Sequence, residues 1–443
     1  MITDLTKGSP SKLVWNFSIP LLISVMFQQL YNIVDSIVAG RFINENALAS
    51  VGASYPITMI FIAIATGCNI GCSVIISRLF GGKEYAKMKT AVYTSLISIL
   101  ILSVFLTIVG FMACNPMLRL LNTPENILSD ADVYLRIYIG GLLFLLSYNI
   151  FTGIFTSLGD SRTPLYLLIA SSLLNIVLCL VFVINFGMGV AGVAWATFIA
   201  QGIASILSFI MVIARLKLIQ TTESYPKFSF AMLGRISTIA IPSILQQSFI
   251  SVGNLFIQGL INSYGSSVIA GYSAAMKLNT FAITSFATLA NGVSGFTSQN
   301  IGAGKLDRVS RGFKSGLVMC LCVAVPFSVA YFGFGSNMMG IFLDSSNSEA
   351  ISVGNQFLRI VSPFYVIISI KLIADGVLRG AGAMVSFMIA TLADLLLRVV
   401  LAFVLSNYFE ATGIWCSWPI GWVVGVILSF GFYTSGVWKK SAM

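Results

Sequence analysis

The chain has 443 residues, of which 57% are hydrophobic and only 9% charged, against roughly a quarter charged in a soluble domain. Mean hydropathy is +0.94 and the formal net charge is +10. So few charges cannot coat a water-exposed surface, which excludes a soluble enzyme, a nucleic-acid binder and a secreted module together and leaves an integral membrane protein.

Taken in chain order, twelve stretches are long and apolar enough to span, since a span needs about 20 mainly apolar residues. They cover about 13–39, 47–76, 90–113, 130–156, 164–185, 189–213, 233–261, 268–300, 312–334, 352–377, 385–406 and 412–436. The first run is too long for a signal-peptide core and reads as a retained span. Alternating strand periodicity is absent, which excludes a β-barrel. The loops are short. The largest polar gap, about Arg215 to Arg235, divides the chain into residues 1–214 (spans 1–6), a linker over 215–235, and residues 236–443 (spans 7–12).

Lys and Arg set the orientation. With the N-terminus in the cytoplasm, eighteen basic residues fall inside, among them Lys83, Lys87, Lys89, Arg215, Lys217, Lys305, Arg308 and Arg379, and only Arg41 and Arg119 fall outside. The positive-inside rule then places both termini in the cytoplasm of a plasma (inner) membrane.

The halves repeat. At a shift of 222, Ile19-Pro20 meets Ile241-Pro242, Asn32 meets Asn254, Asn69 meets Asn291 and Gly82-Lys83 meets Gly304-Lys305. Lys83 and Lys305 lie on the same side, so the six-span repeats are parallel, an architecture in which transporters place a site between repeats near midplane. A single chain carrying both repeats suffices as a monomer, with no obligate protein partner.

Chemistry is sparse. There is no histidine, which removes the usual metal ligand and general base. The seven cysteines form no CxxC pair, so neither a zinc site nor a disulfide framework is expected. No GxxxxGK[ST] run occurs, so an ion gradient rather than ATP is the expected drive. Nothing points to an enzyme: no nucleophile, base or metal set is visible.

Charges inside spans cost roughly 2.5–3.5 kcal/mol each on insertion scales and therefore mark function. Asp35 stands late in span 1, and Tyr31, Asn32 and Asp35 share a polar stripe at helical spacing. A carboxylate there could carry a proton or help coordinate sodium, or be held for structure by Asn and Tyr. Asn175 and Thr197 are either polar packing contacts or coordinating oxygens. In the C-terminal half Lys277, Lys371, Asp375, Asp394 and Arg398 form a possible second charged cluster, in which Asp394 and Arg398, and again Lys371 and Asp375, are four apart, the spacing of an ion pair. Pro20 and Pro242, at equivalent repeat positions, can bend their helices.

These residues resemble the multidrug and toxic compound extrusion (MATE) transporters over nearly the whole chain. Ile19-Pro20 through Asp35 and Gly40-Arg41 look like the family's first helix. Gly159-Asp160-Ser161-Arg162-Thr163-Pro164, Gly187 through Ala194, Gln299-Asn300-Ile301-Gly302-Ala303-Gly304-Lys305 and Leu378-Arg379-Gly380-Ala381-Gly382 look like its other motifs. The resemblance implies an all-α fold of two parallel six-helix bundles in a V. It implies export of small amphipathic, often cationic drugs, driven by inward protons or sodium, with no further cofactor. It makes Asp35 the coupling carboxylate, with Tyr31, Asn175 and Thr197 as polar partners and Pro20 as a bending point. One departure stands out: the span 5 position that is commonly Asp is Cys179 here. A lipid-linked oligosaccharide flippase of the same superfamily is the alternative, though such proteins usually have about fourteen spans and more basic cavities.

Overall fold

A computed structural model of the chain describes residues 2–42, 45–121, 123–343 and 347–441, with side chains described except over 30–42 and 45–48. Helices make up nearly all of it: α1 (Pro10–Phe42), α2 (Glu45–Gly81), α3 (Tyr85–Leu120), α4 (Glu125–Gly140), α5 (Leu142–Ser157), α6 (Arg162–Leu180), α7 (Gly189–Leu218), α8 (Phe230–Ile261), α9 (Ser266–Gly302), α10 (Leu306–Met339), α11 (Ser348–Val361), α12 (Tyr365–Gly380), α13 (Met384–Thr434) and the short α14 (Val437–Lys440).

Twelve spans follow from these elements. Among the described residues nine stretches are long and apolar enough to cross a membrane, and the pair α4–α5, bent by 47°, makes a tenth. α9 is an eleventh, 37 residues long and richer in Ser, Thr and Asn along a deeply buried face. α13 supplies the twelfth. Its 51 residues would run about 75 Å if straight, against a hydrocarbon core of about 30 Å. The helix breaks at Phe409 and Glu410, where Glu410 takes φ 50°. The chain then doubles back so tightly that a Cβ on Gly413 would lie 2.3 Å from the Leu405 carbonyl oxygen.

Spans 4 and 10 are each broken, at equivalent places and by different residues. Gly141 separates α4 from α5, and a 3₁₀ turn at Ser362–Phe364 containing Pro363 separates α11 from α12. Glycine weakens helix continuity by its backbone freedom, and proline removes a hydrogen bond.

Two compact units emerge, one of Met1–Asp4 with Ile23–Leu245, the other of Leu5–Leu22 with Gln246–Met443. The boundary expected at 215–235 does not coincide with this division: the start of α1 belongs to the second unit and the first half of α8 to the first. Close packing explains the placement. In the first unit α2 presents Gly67 and Gly71, a GxxxG pair, and α8 lies so near that a Cβ on either would fall within 2.6 Å of Ile244 or Ala240. In the second unit Gly292 of α9 meets Ser18 of α1 in the same way, at 2.1 Å. Within each unit the pairings also match: α2 packs on α3, α4 and α5, and α9 packs on α10, α11 and α12.

The helix–helix turns at Lys83, Gly159, Gly304 and Gly382 are one structure used four times. Each has a residue of positive φ (60°, 72°, 70° and 76°). In each, the next residue's N–H reaches back to the carbonyl five positions earlier, as from Glu84 to Leu79 and from Lys305 to Asn300. The turns correct the repeat register at this point. Lys83 corresponds to Gly304 and Glu84 to Lys305, one residue off the alignment of Gly82-Lys83 with Gly304-Lys305.

Candidate functional site

The first unit holds the residues expected to couple transport. Tyr31, Asn32 and Asp35 lie on α1, and their side chains are outside the described residues. Asn175 on α6 and Thr197 on α7 are brought together: the Asn175 amide donates to Thr197 Oγ1 at 3.1 Å, and the Thr197 hydroxyl donates to the Val193 carbonyl at 3.2 Å. Asn175 is 3% exposed, and its Oδ1 has no hydrogen-bond partner among the described residues. One turn on, Cys179 is fully buried in an apolar cluster with Val183, Val193 and Ala196. α6 then widens into a π-helical turn, Val181–Asn185, a geometry that recurs at functional positions.

The second unit holds a buried charged cluster built on α12 and the two arms of α13. Lys371 Nζ lies 2.9 Å from Asp375 Oδ2 and 3.6 Å from Asp394 Oδ2. Ser429 Oγ donates to Asp375 Oδ1 at 2.6 Å. Arg398 is set with its guanidinium 4.2 Å from the centre of the Trp418 ring. All four charged residues are buried. Two glycines make the approach possible: a Cβ on Gly425 would lie 2.6 Å from Lys371 Cε, and one on Gly421 2.7 Å from Asp394 Oδ1. Aromatic side chains wall the cluster. Trp418 meets Trp422 and Phe357 edge-on, and Tyr272 stacks on Trp415 at 5.2 Å.

The cluster differs from its sequence expectation in two ways. Lys277 does not join it: that residue is exposed on α9 and lies over the Phe342 ring at 5.6 Å. Asp394 and Arg398 do not form the expected i, i+4 ion pair, because Asp394 turns to Lys371 and Arg398 to Trp418. The i, i+4 pair that forms is Lys371–Asp375. Chemically the four charges cancel, as buried charges must. Their hydrogen bonding is uneven. Asp375 uses both oxygens, whereas Asp394 Oδ1 and Arg398 Nε have no hydrogen-bond partner among the described residues. Asp394 is therefore the carboxylate of this cluster with an acceptor oxygen to spare. Among the described residues no group of three or more His, Cys, Asp or Glu could hold a metal ion.

Comparison with known proteins decides the family. The MatE family model matches the chain twice, over residues 20–181 and 242–404. The chain belongs to the MatE family. Similar proteins include the "Probable multidrug resistance protein YpnP" of Bacillus subtilis (strain 168), 28% identical, with 98% of this chain and 97% of that protein covered. The multidrug export protein MepA of Staphylococcus saprophyticus subsp. saprophyticus is 23% identical, covering 92% of this chain and 90% of that one. A solved outward-facing multidrug resistance MATE family transporter of the MOP superfamily superposes with TM-score 0.92 at 24% identity, covering 98% of both chains. This is a transporter family, and the two family matches fall on the two repeats.

The segments that carried the resemblance have a physical reading in this chain. The Gln299–Lys305 motif grips the chain's own start. The Leu5 N–H donates to Gln299 Oε1 at 2.9 Å, the Asn300 amide donates to the Leu5 carbonyl at 3.2 Å, and Lys305 Nζ donates to the Thr6 carbonyl at 2.9 Å. Arg308 closes the clamp on the Gly8 and Leu5 carbonyls. The Gly159–Pro164 motif is a turn and cap: Asp160 accepts from the Thr163 N–H and hydroxyl at 3.1 and 2.8 Å and faces Arg215 at 3.5 Å. Ser429, Gly425 and Trp418 were missed by sequence reading. The only signal for Ser429 was a hydroxyl in an apolar span, which is common and unspecific.

Proposed function

We propose that this MatE protein is a secondary active multidrug efflux transporter. It exports amphipathic, often cationic compounds from the cytoplasm by proton- or sodium-coupled antiport with alternating access. In this reading it works as a monomer in the plasma membrane, surrounded by lipid, with both termini cytoplasmic and no organic cofactor. The relatives named for multidrug resistance and export support the substrate class.

The observation that supports coupling is that each cluster holds a buried polar oxygen without a hydrogen-bond partner among the described residues, two of several such atoms in the chain: Asn175 Oδ1 in the Asn175–Thr197 pair, and Asp394 Oδ1, whose companion Oδ2 faces Lys371. An acceptor left unpaired in an apolar interior costs about 1–3 kcal/mol. A sodium ion arriving at either oxygen, or a proton arriving at the Asp394 carboxylate, relieves that cost. We assign Asp35, with Tyr31, Asn32, Asn175 and Thr197, to the first coupling site, and Lys371, Asp375, Asp394 and Arg398 to a second. Pro20 and Pro242 stand within about one turn of Leu22 and Leu245, where α1 and α8 pass from one compact unit to the other. Each proline removes a helix hydrogen bond there, so bending in alternating access is assigned to them.

The test is efflux of a fluorescent organic cation from proteoliposomes under an imposed pH gradient or an imposed sodium gradient. One gradient is expected to drive wild-type transport, with Asp35→Asn abolishing it and Asp394→Asn reducing it. Normal transport by both variants would refute the coupling assignment. Failure of either gradient to move any cation in wild type would bring the lipid-linked oligosaccharide reading forward.

A further inference from the structure

The turn between α2 and α3 borders a basic pocket, distinct from the buried clusters. It is a pocket of about 870 Å³ among the turn after α2, the start of α3, the last turn of α7 and the stretch that follows it. Four lysines line it: Lys83, Lys87, Lys89 and Lys217. Two carboxylates, Glu84 and Glu223, also line it, and Lys87 is paired with Glu84. That leaves Lys83, Lys89 and Lys217 against Glu223.

Three observations separate this pocket from the general basic excess of such loops. First, Lys89 is 8% exposed, and its ammonium lies 5.3 Å from the centre of the Tyr225 ring. Among the described residues it makes no hydrogen bond or ion pair, so a buried lysine lines the pocket with no carboxylate paired to it. Second, Lys83 holds φ 60° where the three matching turns have glycine. A side chain kept in a conformation that disfavours it points to a use for that side chain. Third, α3 begins at the pocket without a side-chain cap, so its first backbone N–H groups and helix dipole favour an anion there.

The matching turn in the other repeat behaves differently. There Lys305 and Arg308 donate to carbonyl oxygens of Thr6, Gly8 and Leu5. The chain's own backbone satisfies that turn, while Lys83 and Lys217 make no such bonds among the described residues.

We propose that this pocket binds the phosphate of an anionic phospholipid headgroup. Its place selects a lipid. The apolar spans of α2, α3 and α7 begin directly beside it, so a ligand phosphate held there has its acyl chains alongside those helices. Basic pockets between helices at the membrane surface suit such headgroups. Lys83 and Lys217 contact the phosphate oxygens from the two rims, Lys89 supplies the buried charge, and Glu223 disfavours a second phosphate. The proposal is independent of which ion or drug the protein moves.

The test uses the full-length protein in a neutral detergent, with thermal unfolding followed during titration by dioctanoyl phosphatidylglycerol, dioctanoyl phosphatidylcholine or inorganic phosphate. The variants are Lys83→Gly, which keeps the turn, Lys217→Gln, and the two combined. Phosphatidylglycerol is expected to raise the wild-type melting temperature at least tenfold more tightly than phosphatidylcholine. The double variant should weaken that response at least tenfold while unfolding no earlier than wild type without lipid. Equal responses of wild type and double variant, or of the two lipids, would overturn the proposal. So would inorganic phosphate matching phosphatidylglycerol in affinity, which would identify a free-phosphate site instead. Lys89→Met gives an independent reading, since its loss should abolish the lipid response even where its own stability changes.

Discussion

Lys371 and Asp375, one turn apart on α12, form a buried ion pair of 2.9 Å in which Asp375 is also held by Ser429. Lys371 serves Asp394 as well, at 3.6 Å, so one ammonium is shared by two carboxylates from different helices, and Arg398 supplies the second positive charge of the cluster.

Removing that ammonium is therefore expected to cost more than removing the pair. Lys371→Met strands two buried carboxylates and should lower stability by about 3–5 kcal/mol. Lys371→Met with Asp375→Leu should recover part of the loss. Thermal unfolding of the purified protein reads both, and a double variant less stable than the single would refute the shared-cation account.

Gly425 is the point where the second arm of α13 meets Lys371. Gly425→Ala would place a methyl 2.6 Å from Lys371 Cε and 3.1 Å from Asp394 Cβ, an overpacking expected to cost about 1–3 kcal/mol. Gly431→Ala, on the same helix with nothing within 4 Å, should instead stabilise by about 0.5–1 kcal/mol through helix propensity. The two melting temperatures should move in opposite directions.

Lys83 bears backbone strain that Gly159, Gly304 and Gly382 do not. Lys83→Gly is expected to raise stability in lipid-free detergent by about 1 kcal/mol, because glycine enters the left-handed region without steric cost. A decrease would show that the side chain supports the fold.

Asn300 joins the α9 end to the N-terminal segment, donating to the Leu5 carbonyl and accepting from Arg308 at 2.8 Å. Asn300→Ala removes both, at a cost of about 1–3 kcal/mol to the local clamp. Tryptic cleavage after Lys7 should accelerate about tenfold or more, because local opening governs access. An unchanged rate would mean that the Gln299 and Lys305 contacts hold the segment without Asn300.

Much of the fold was legible because the membrane makes it so. Backbone groups in hydrocarbon must bond within a helix, so apolar length reads directly as spans. Twelve spans and two parallel repeats follow from that rule together with the basic loops. The Phe409–Glu410 break was visible as a dip between two apolar runs. The site was less legible. Lys371 and Asp375 were readable as a pair because helical spacing is local. Lys277 was grouped with them only because it, too, is a charge in a span.

By itself, then, the sequence determined the class of protein, the count of spans, the repeat and the family resemblance, all of which depend on composition and short-range spacing. Tertiary structure alone decided that Asp394 faces Lys371 rather than Arg398. It alone decided that Arg398 rests on Trp418, that Gly421 and Gly425 admit the cluster, and that α1 and α8 each contribute to both compact units. The reason is geometric. Which face of one helix meets which face of another depends on side-chain volume at the crossing, and a missing Cβ on a helix dozens of residues away leaves no trace in the local pattern.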